Sequence, residues 1–162
     1  MNIIWLIILG AIIWYFWRQK NAPEDQIKKL EALAYEQYFV ALNHAKKDVE
    51  IQENRNKEKS IIPAEHGKEF VKLSKDRVKH IEKIEEMFVR LKARMKHRPA
   101  KEQLEIYSDF YTYSLDLNRL ERRFEQLGYD FSETAHEDYE ADTKDIKIEM
   151  NEIERRFEQR LK

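Results

Sequence analysis

Residues 106–128 read IYSDFYTYSLDLNRLERRFEQLG, and this stretch carries the most regular hydrophobic pattern in the chain. Its apolar residues recur alternately four and three positions apart, which places them on one face of an α-helix. Gly128 follows the last of them and suits a helix C-terminal cap. The stretch therefore predicts a long amphipathic helix that packs against others. The stripe consists of Ile106, Phe110, Tyr113, Leu117, Leu120, Phe124 and Leu127.

Three other segments carry similar stripes, so the fold class that we expect is all-α. The chain of 162 residues contains only three Gly and three Pro, and this composition favours long helices. In the first of these segments the stripe includes Phe39 beside Ala34 and Ala41. Pro23 suits the first turn of this helix, where a missing N–H costs little. We expect helices at about 23–53, 64–97, 99–127 and 134–161.

Four helices of roughly equal length predict an antiparallel up-down four-helix bundle with coiled-coil seams. Each helix would be about 45 Å long at about 1.5 Å per residue. The alternative is a helix that continues through Pro99 with a kink, which gives a long helical hairpin that must dimerise to bury its seams. A short repeat, LNRLERRFEQ at 117–126 and MNEIERRFEQ at 150–159, supports the assignment of the last two seams.

The N-terminus, MNIIWLIILGAIIWYFW, contains no charged side chain before the polar residues that follow it. A run of this length approaches the ~20 residues that cross a bilayer, and flanking basic side chains can extend the span. A cleaved signal peptide would need a basic region before the run, and none is present. We expect a transmembrane anchor at 1–20 and a helical domain at 21–162. The anchor residues at the two interfaces are Trp5, Trp14, Tyr15, Trp17, Arg18 and Lys20.

The orientation of the anchor follows from the basic residues beside it. Arg18, Lys20, Lys28 and Lys29 lie within twenty residues after the apolar run, and no basic side chain precedes it. The positive-inside rule then places the C-terminal domain in the cytoplasm. We therefore expect a single-pass protein of a bacterial inner membrane.

Charge is unevenly distributed along the chain, although the net charge is only −1. In an up-down bundle the connection near Pro99 lies beside the membrane, where basic side chains favour an anionic leaflet. The connection near Gly128 lies at the far end. The expected membrane-proximal basic patch is Arg90, Lys92, Arg94, Lys96, Arg98 and Lys101. The acidic residues that we expect to face a partner are Asp130, Glu133, Glu137, Asp138, Glu140 and Asp142.

A second stripe on the third predicted helix includes Tyr107 and Tyr111. It is either a surface for a protein partner or a second copy, or the side of a helix that packs on two neighbours in the bundle. Both interpretations stay open at this point.

The sequence offers little for catalysis. The absence of Cys excludes thiolate metal sites and cysteine nucleophiles. A di-iron bundle needs two inward Glu-x-x-His motifs, and only Glu133 with His136 fits. We expect no metal, no cofactor and no nucleic-acid partner.

The function that these features favour is a non-enzymatic, membrane-tethered adaptor or scaffold. Its partners would be membrane lipid, a protein of unknown identity and, in one alternative, a second copy of the chain. The competing hypotheses are a single-pass sensor or ligand-binding bundle on the extracytoplasmic side, and, less favoured, an enzyme whose site lies between helices.

Overall fold

The structure, a computed structural model, describes residues 3–57, 64–127 and 133–162. These residues form an all-α bundle, as the sequence predicts. The helices are α1 at Ile3–Lys57, α2 at Ala64–Met95, α3 at Ala100–Leu127 and α4 at Glu133–Leu161. The predicted helices at 64–97, 99–127 and 134–161 agree with α2, α3 and α4 to within two residues.

Helices α1 and α2 are antiparallel. Lys92 near the end of α2 contacts Glu31 in α1, whereas Lys75 near the start of α2 contacts Glu53, further along α1. The two helices therefore run alongside each other in opposite directions over most of α2.

Helices α3 and α4 continue the alternation of direction. The rings of Phe88 on α2 and Phe110 on α3 stack with their centroids 3.9 Å apart and their planes 7° apart. Arg160, near the end of α4, contacts Asp109 at 2.9 Å, near the start of α3. Successive helices therefore alternate in direction along the chain.

The helices that lie side by side in the bundle are not always those that follow each other along the chain. Helix α1 approaches α3 most closely, although the two are parallel, and α4 lies mainly against α2. Ala34, Ala41 and Ala45 on α1 are fully buried, as is Ser114 on α3. Small side chains at a contact shorten the distance between helix axes, which explains the close approach of α1 to α3.

The connection at Pro99 is a tight turn. The backbone N–H of Arg98 donates to the carbonyl of Met95 at 2.9 Å, and that of Glu102 donates to the carbonyl of Pro99 at 3.0 Å. Because α2 ends at Met95 and α3 folds back beside it, the alternative of one kinked helix in a long hairpin is wrong.

Helix α1 does not begin at Pro23, which corrects the predicted start. It extends from Ile3 to Lys57, with Pro23 inside it. Proline removes one backbone hydrogen bond and costs a helix about 3 kcal/mol or more. The segments on both sides of Pro23 nevertheless favour helix, and the helix continues through it.

None of the helices is both long enough and apolar enough to cross a membrane, taken over the residues that the structure describes. The transmembrane helix expected at 1–20 is therefore not confirmed. Residues 1 and 2 lie outside the described part of the chain, as do the side chains of residues 3–8 and 17–22. Of the predicted anchor residues, Trp5, Trp17, Arg18 and Lys20 fall in this group.

The core contains most of the predicted stripes and ends at Ile27 on α1. Phe39 of the predicted first stripe is not in it, because its side chain is 51% exposed. Several charged and polar side chains that were not predicted to be buried lie in the core instead. They include Gln52, Arg77, Asn118, Glu121 and Thr143.

Candidate functional site

A buried group of polar side chains joins all four helices, and we call it the Arg77 cluster. Its members are Asp48 from α1, Ser74 and Arg77 from α2, Glu121 from α3 and Tyr139 from α4. The side chains of Arg77 and Glu121 are each 1% exposed. Sequence analysis treated none of the charged members as core residues.

The guanidinium of Arg77 binds partners on three other helices. Its Nε donates to Oε1 of Glu121 at 3.3 Å, and its Nη2 donates to Oε2 of the same carboxylate. Its Nη1 donates to Oδ2 of Asp48 at 2.9 Å and to the hydroxyl of Tyr139 at 2.7 Å. The fork of an arginine suits such two-point binding of a carboxylate.

Asp48 accepts further hydrogen bonds from neutral groups. The hydroxyls of Tyr139 and Ser74 donate to its Oδ2 at 2.9 Å and 2.6 Å. Gln52 Nε2 donates to its Oδ1 at 3.1 Å.

Aromatic rings enclose the cluster. The guanidinium carbon of Arg77 lies 4.1 Å from the centroid of the Phe124 ring and 5.6 Å from that of Tyr139. Phe70 packs edge-on against Tyr139, with the centroids 5.0 Å apart. The arginine is thus held by carboxylates on its edges and by a ring on its face, where a cation–π contact adds to the ion pairs.

The ionisation of the cluster reflects its burial. Burial lowers the pKa of Arg77, but Glu121, Tyr139 and Asp48 outweigh it and hold that pKa above its ordinary value. Burial raises the pKa of Glu121, and Arg77 opposes this shift. Because the donors of Arg77 are engaged with side chains of the protein itself, the cluster serves to fix how the four helices pack.

The end of the bundle near Pro99, which we call the proximal end, carries an exposed apolar segment. Helix α1 extends beyond the bundle there, because the pairing of Glu31 with Lys92 brings the end of α2 beside residues close to Pro23. The large side chains of residues 9–16 are 47–63% exposed. They are Leu9, Ile12, Ile13, Trp14, Tyr15 and Phe16.

The predicted basic patch lies at the same end. All six of its side chains, at positions 90, 92, 94, 96, 98 and 101, belong to exposed residues. Acidic residues pair with part of the patch: Glu31 with Lys92, Glu86 with Arg90 and Glu102 with Arg98.

The predicted partner surface is brought together only in part. Glu137, Asp138 and Glu140 on α4 are exposed. Asp130 and the side chain of Glu133 lie outside the described residues. Asp142 is buried and binds Arg123, so it does not belong to the exposed surface.

The two tyrosines proposed for a partner surface face the bundle. Tyr107 is buried, and its ring packs edge-on against Phe88 with the centroids 5.4 Å apart. Tyr111 is half-buried and packs against the core. Their stripe therefore covers a second side of α3 within the bundle, and Tyr107 is not available to a partner.

Helices α3 and α4 form the most open seam of the bundle. Ion pairs close this seam near its two ends, between Arg123 and Asp142 and between Asp109 and Arg160. A cavity of about 90 Å³ lies between the two helices, beside a wider cleft of about 340 Å³. Tyr113 lines the cavity, and its hydroxyl is buried without a hydrogen-bond partner in the described part of the chain.

No group of side chains that could hold a metal ion occurs among residues whose positions are described. The side chains of Glu133 and His136, the one predicted Glu-x-x-His motif, fall outside them. Comparison with known proteins gives no further guidance, because no family, curated protein or solved structure matches the chain.

Proposed function

We propose that this protein is a membrane-tethered, non-enzymatic adaptor that presents its helical bundle at the cytoplasmic face of a bacterial inner membrane. The observation that supports the proposal most directly is the exposed apolar segment of α1. Six large apolar side chains between Leu9 and Phe16 are exposed to the surroundings. Contiguous apolar surface of this kind marks a membrane or protein contact.

The length of the projecting segment is compatible with this role. From Ile3 to Ala22 the helix contains twenty residues, which corresponds to about 30 Å at about 1.5 Å per residue. That is close to the thickness of the hydrocarbon layer of a bilayer. Trp14 and Tyr15 lie toward the bundle end of the segment, and such rings favour the membrane interface.

The basic patch supports the same arrangement. It lies at the end of the bundle from which the apolar segment projects, and each Lys or Arg near an anionic leaflet contributes about 1 kcal/mol. The exposed acids Glu137, Asp138 and Glu140 lie near the start of α4, at the opposite end. This polarity would hold the bundle on an anionic membrane and offer its far end to a partner.

Membrane fractionation tests the tether. Ile13 and Ile148 are similarly exposed, at 61% and 55%, but Ile148 lies on α4. We expect Ile13→Lys to release the chain from carbonate-washed membranes, because a charge within the hydrocarbon layer is costly. The matched variant Ile148→Lys should stay bound. Equal retention of both variants would contradict the tether.

Topology is tested by fusing alkaline phosphatase to the C-terminus in a bacterial host. A cytoplasmic domain leaves the fusion inactive, whereas a green fluorescent protein fusion at the same place is bright. An active phosphatase fusion would contradict the cytoplasmic adaptor and favour a sensor on the outer side.

A further inference from the structure

Helix α4 is attached to the bundle differently from the other three helices. Its backbone lies along α2, approaches α3 at few points and comes close to α1 nowhere among the described residues. The cavity of about 90 Å³ and the wider cleft of about 340 Å³ both lie between α3 and α4. Among the residues that the structure describes, α4 also buries four apolar side chains, whereas each of the other helices buries six. It is therefore the least closely packed of the four helices.

The aromatic part of the core is built by α1, α2 and α3. The Phe88 ring on α2 stacks on Phe110 of α3, and Tyr35 on α1 packs edge-on against both, with centroids 6.0 Å and 5.4 Å away. Tyr38 on α1 lies against Phe110 as well, at 6.0 Å. All of these rings belong to the first three helices, so their contacts would persist if α4 moved away.

The buried charges are also compensated within the first three helices. Arg77 on α2 pairs with Glu121 on α3 and with Asp48 on α1. Ser74 on α2 donates to the same Asp48 carboxylate. To this group α4 contributes the hydroxyl of Tyr139, which is neutral. Disruption of a buried ion pair is costly when one ion loses its counter-ion, and departure of α4 leaves both pairs intact.

Two buried hydroxyls at the contact with α4 oppose its docking. Thr143 on α4 is 1% exposed, and Tyr113, which lines the cavity between α3 and α4, is 3% exposed. Neither hydroxyl oxygen has a hydrogen bond to the described part of the protein. Because water would bind both hydroxyls once α4 had moved away, their burial lowers the stability of the docked arrangement.

The polar attachments of α4 lie at its edges. Each is an ion pair whose cation is partly exposed, and exposed pairs contribute little to stability. The pairs are Arg123 with Asp142, Lys83 with Glu154, and Arg160 with Asp109. Docking of α4 thus depends on a short apolar stripe, supported by weak pairs on both sides.

We propose that α4 undocks as a unit from a folded core of α1, α2 and α3, so that the protein alternates between a closed four-helix bundle and an open form. In the open form, the apolar face that α4 covers is exposed on α2 and α3. This face includes Phe70 and Phe124, whose rings contact Tyr139 in the closed bundle. The opening does not depend on the membrane tether, and it would occur whether or not the chain is an adaptor.

Native-state hydrogen exchange of the full-length chain in neutral detergent measures the opening. We expect the amides from Tyr139 to Phe157 to exchange together, at least tenfold faster than the buried amides of α2 and α3. Exchange that rises gradually toward the C-terminus would indicate fraying of the helix end. Exchange of all four helices at one rate would indicate global unfolding. Either of these results would overturn the proposal.

Removal of an unpartnered hydroxyl should hold α4 in place. We expect Thr143→Val to slow the exchange of α4 about fivefold or more, because the docked state no longer buries a hydroxyl without a partner. The control is Ser114→Ala, which removes a buried hydroxyl that donates to the carbonyl of Phe110 at 2.8 Å within α3. It should not slow the exchange of α4. If Thr143→Val failed to slow this exchange, the proposed balance between the closed and open forms would be wrong.

Loss of an edge pair should have the opposite effect. Lys83→Met removes the pair between α2 and α4, and we expect it to speed the exchange of α4 about two- to fivefold while α1, α2 and α3 stay protected. Lys46→Met is the matched control, because Lys46 is as exposed as Lys83, at 52% against 54%, but pairs with Glu82 between α1 and α2. It should leave the exchange of α4 unchanged. Equal acceleration of α4 by both variants would mean that α4 opens only when the whole bundle unfolds, which would contradict the proposal.

Discussion

Arg77 on α2 and Glu121 on α3 form a two-point ion pair in the interior of the bundle, with each side chain 1% exposed. Such a pair contributes less to net stability than its geometry suggests, because both ions lose their hydration. Removal of one partner is strongly destabilising, because the other partner remains charged and buried.

We expect Arg77→Met to destabilise the chain by about 3–5 kcal/mol, since it leaves the carboxylates of Glu121 and Asp48 without their cation. Adding Glu121→Leu to this variant should recover part of the loss. The control is Lys46→Met, which removes a pair with Glu82 between residues about half exposed and should change stability by less than about 1 kcal/mol. Urea unfolding measures all three, and similar losses for Arg77→Met and Lys46→Met would contradict a buried pair.

The close contact between α1 and α3 depends on small side chains. Ala41→Leu should destabilise the chain by about 1–3 kcal/mol, because the larger side chain would force the two helices apart. Ala32 on the same helix is exposed, so Ala32→Leu should have little effect. Thermal melts of the two variants should therefore differ clearly, and coinciding melts would show that α1 and α3 do not pack as described.

Two phenylalanines from the predicted stripes differ in their surroundings. Phe110 is fully buried between aromatic rings, whereas Phe39 is 51% exposed. Phe110→Asp should destabilise the chain by more than about 4 kcal/mol, because it buries an unpaired charge and removes a ring. Phe39→Asp should cost less than about 1 kcal/mol by the same denaturant measurement. A large loss for Phe39→Asp would mean that this side chain is covered.

Tyrosine ionisation should limit stability at high pH. Burial raises the pKa of Tyr107 to about 12 and holds the pKa values of Tyr38, Tyr113 and Tyr139 above the ordinary 10.0. The folded state therefore keeps protons that the unfolded state releases, so stability should be complete below pH ~10 and fall as the pH rises above it. Denaturant melts between pH 8 and 12, followed together with tyrosinate absorbance, measure this. Tyr107→Phe should reduce the dependence of stability on pH. A parent chain whose stability does not change between pH 8 and 12 would contradict the raised tyrosine pKa values.

Electrostatic attachment of the bundle to anionic lipid is testable without the apolar segment. A fragment from Pro23 onward keeps all of the core residues, the first of which is Ile27. It should bind anionic vesicles weakly, and both added salt and the triple change Arg94→Gln, Lys96→Gln and Arg98→Gln should reduce the binding. A matched triple change at Lys68, Lys72 and Lys79, which are exposed nearer the other end of α2, should have less effect. If both triple variants bound the vesicles equally well, the basic patch would not be the surface that attaches the bundle to anionic lipid.

The spacing of apolar residues was sufficient to predict the helices and most of the core, because helical periodicity is a local property of the sequence. It did not identify Arg77, although this residue lies three positions after Ser74 and four before Ile81, on the buried face of α2. A charged residue at such a position is interpreted as exposed unless its partners are known, and those partners belong to other helices. The order of neighbours, with α1 beside α3, likewise depends on contacts between helices.

The internal repeat marks one member of the Arg77 cluster. Glu121 and Glu154 occupy the same position in the two copies, and both contact a cation from α2: Arg77 for Glu121 and Lys83 for Glu154. The first pair is buried, whereas the Lys83 side chain is 54% exposed. The sequence marks the shared position, but the depth of each pair is decided by the packing around it.

The continuity of α1 through Pro23 has a mechanical consequence. One stiff rod of 55 residues, about 80 Å long, carries the apolar segment at one end and Asp48 near the other. A turn of the apolar segment about its own axis would act on Asp48, and through it on Arg77 and Tyr139, along one continuous helix in which Pro23 lacks a backbone hydrogen bond. Twisting or tilting of the apolar segment would therefore exert a torque on the interior of the bundle, and replacing Pro23 by alanine would make α1 stiffer between the two.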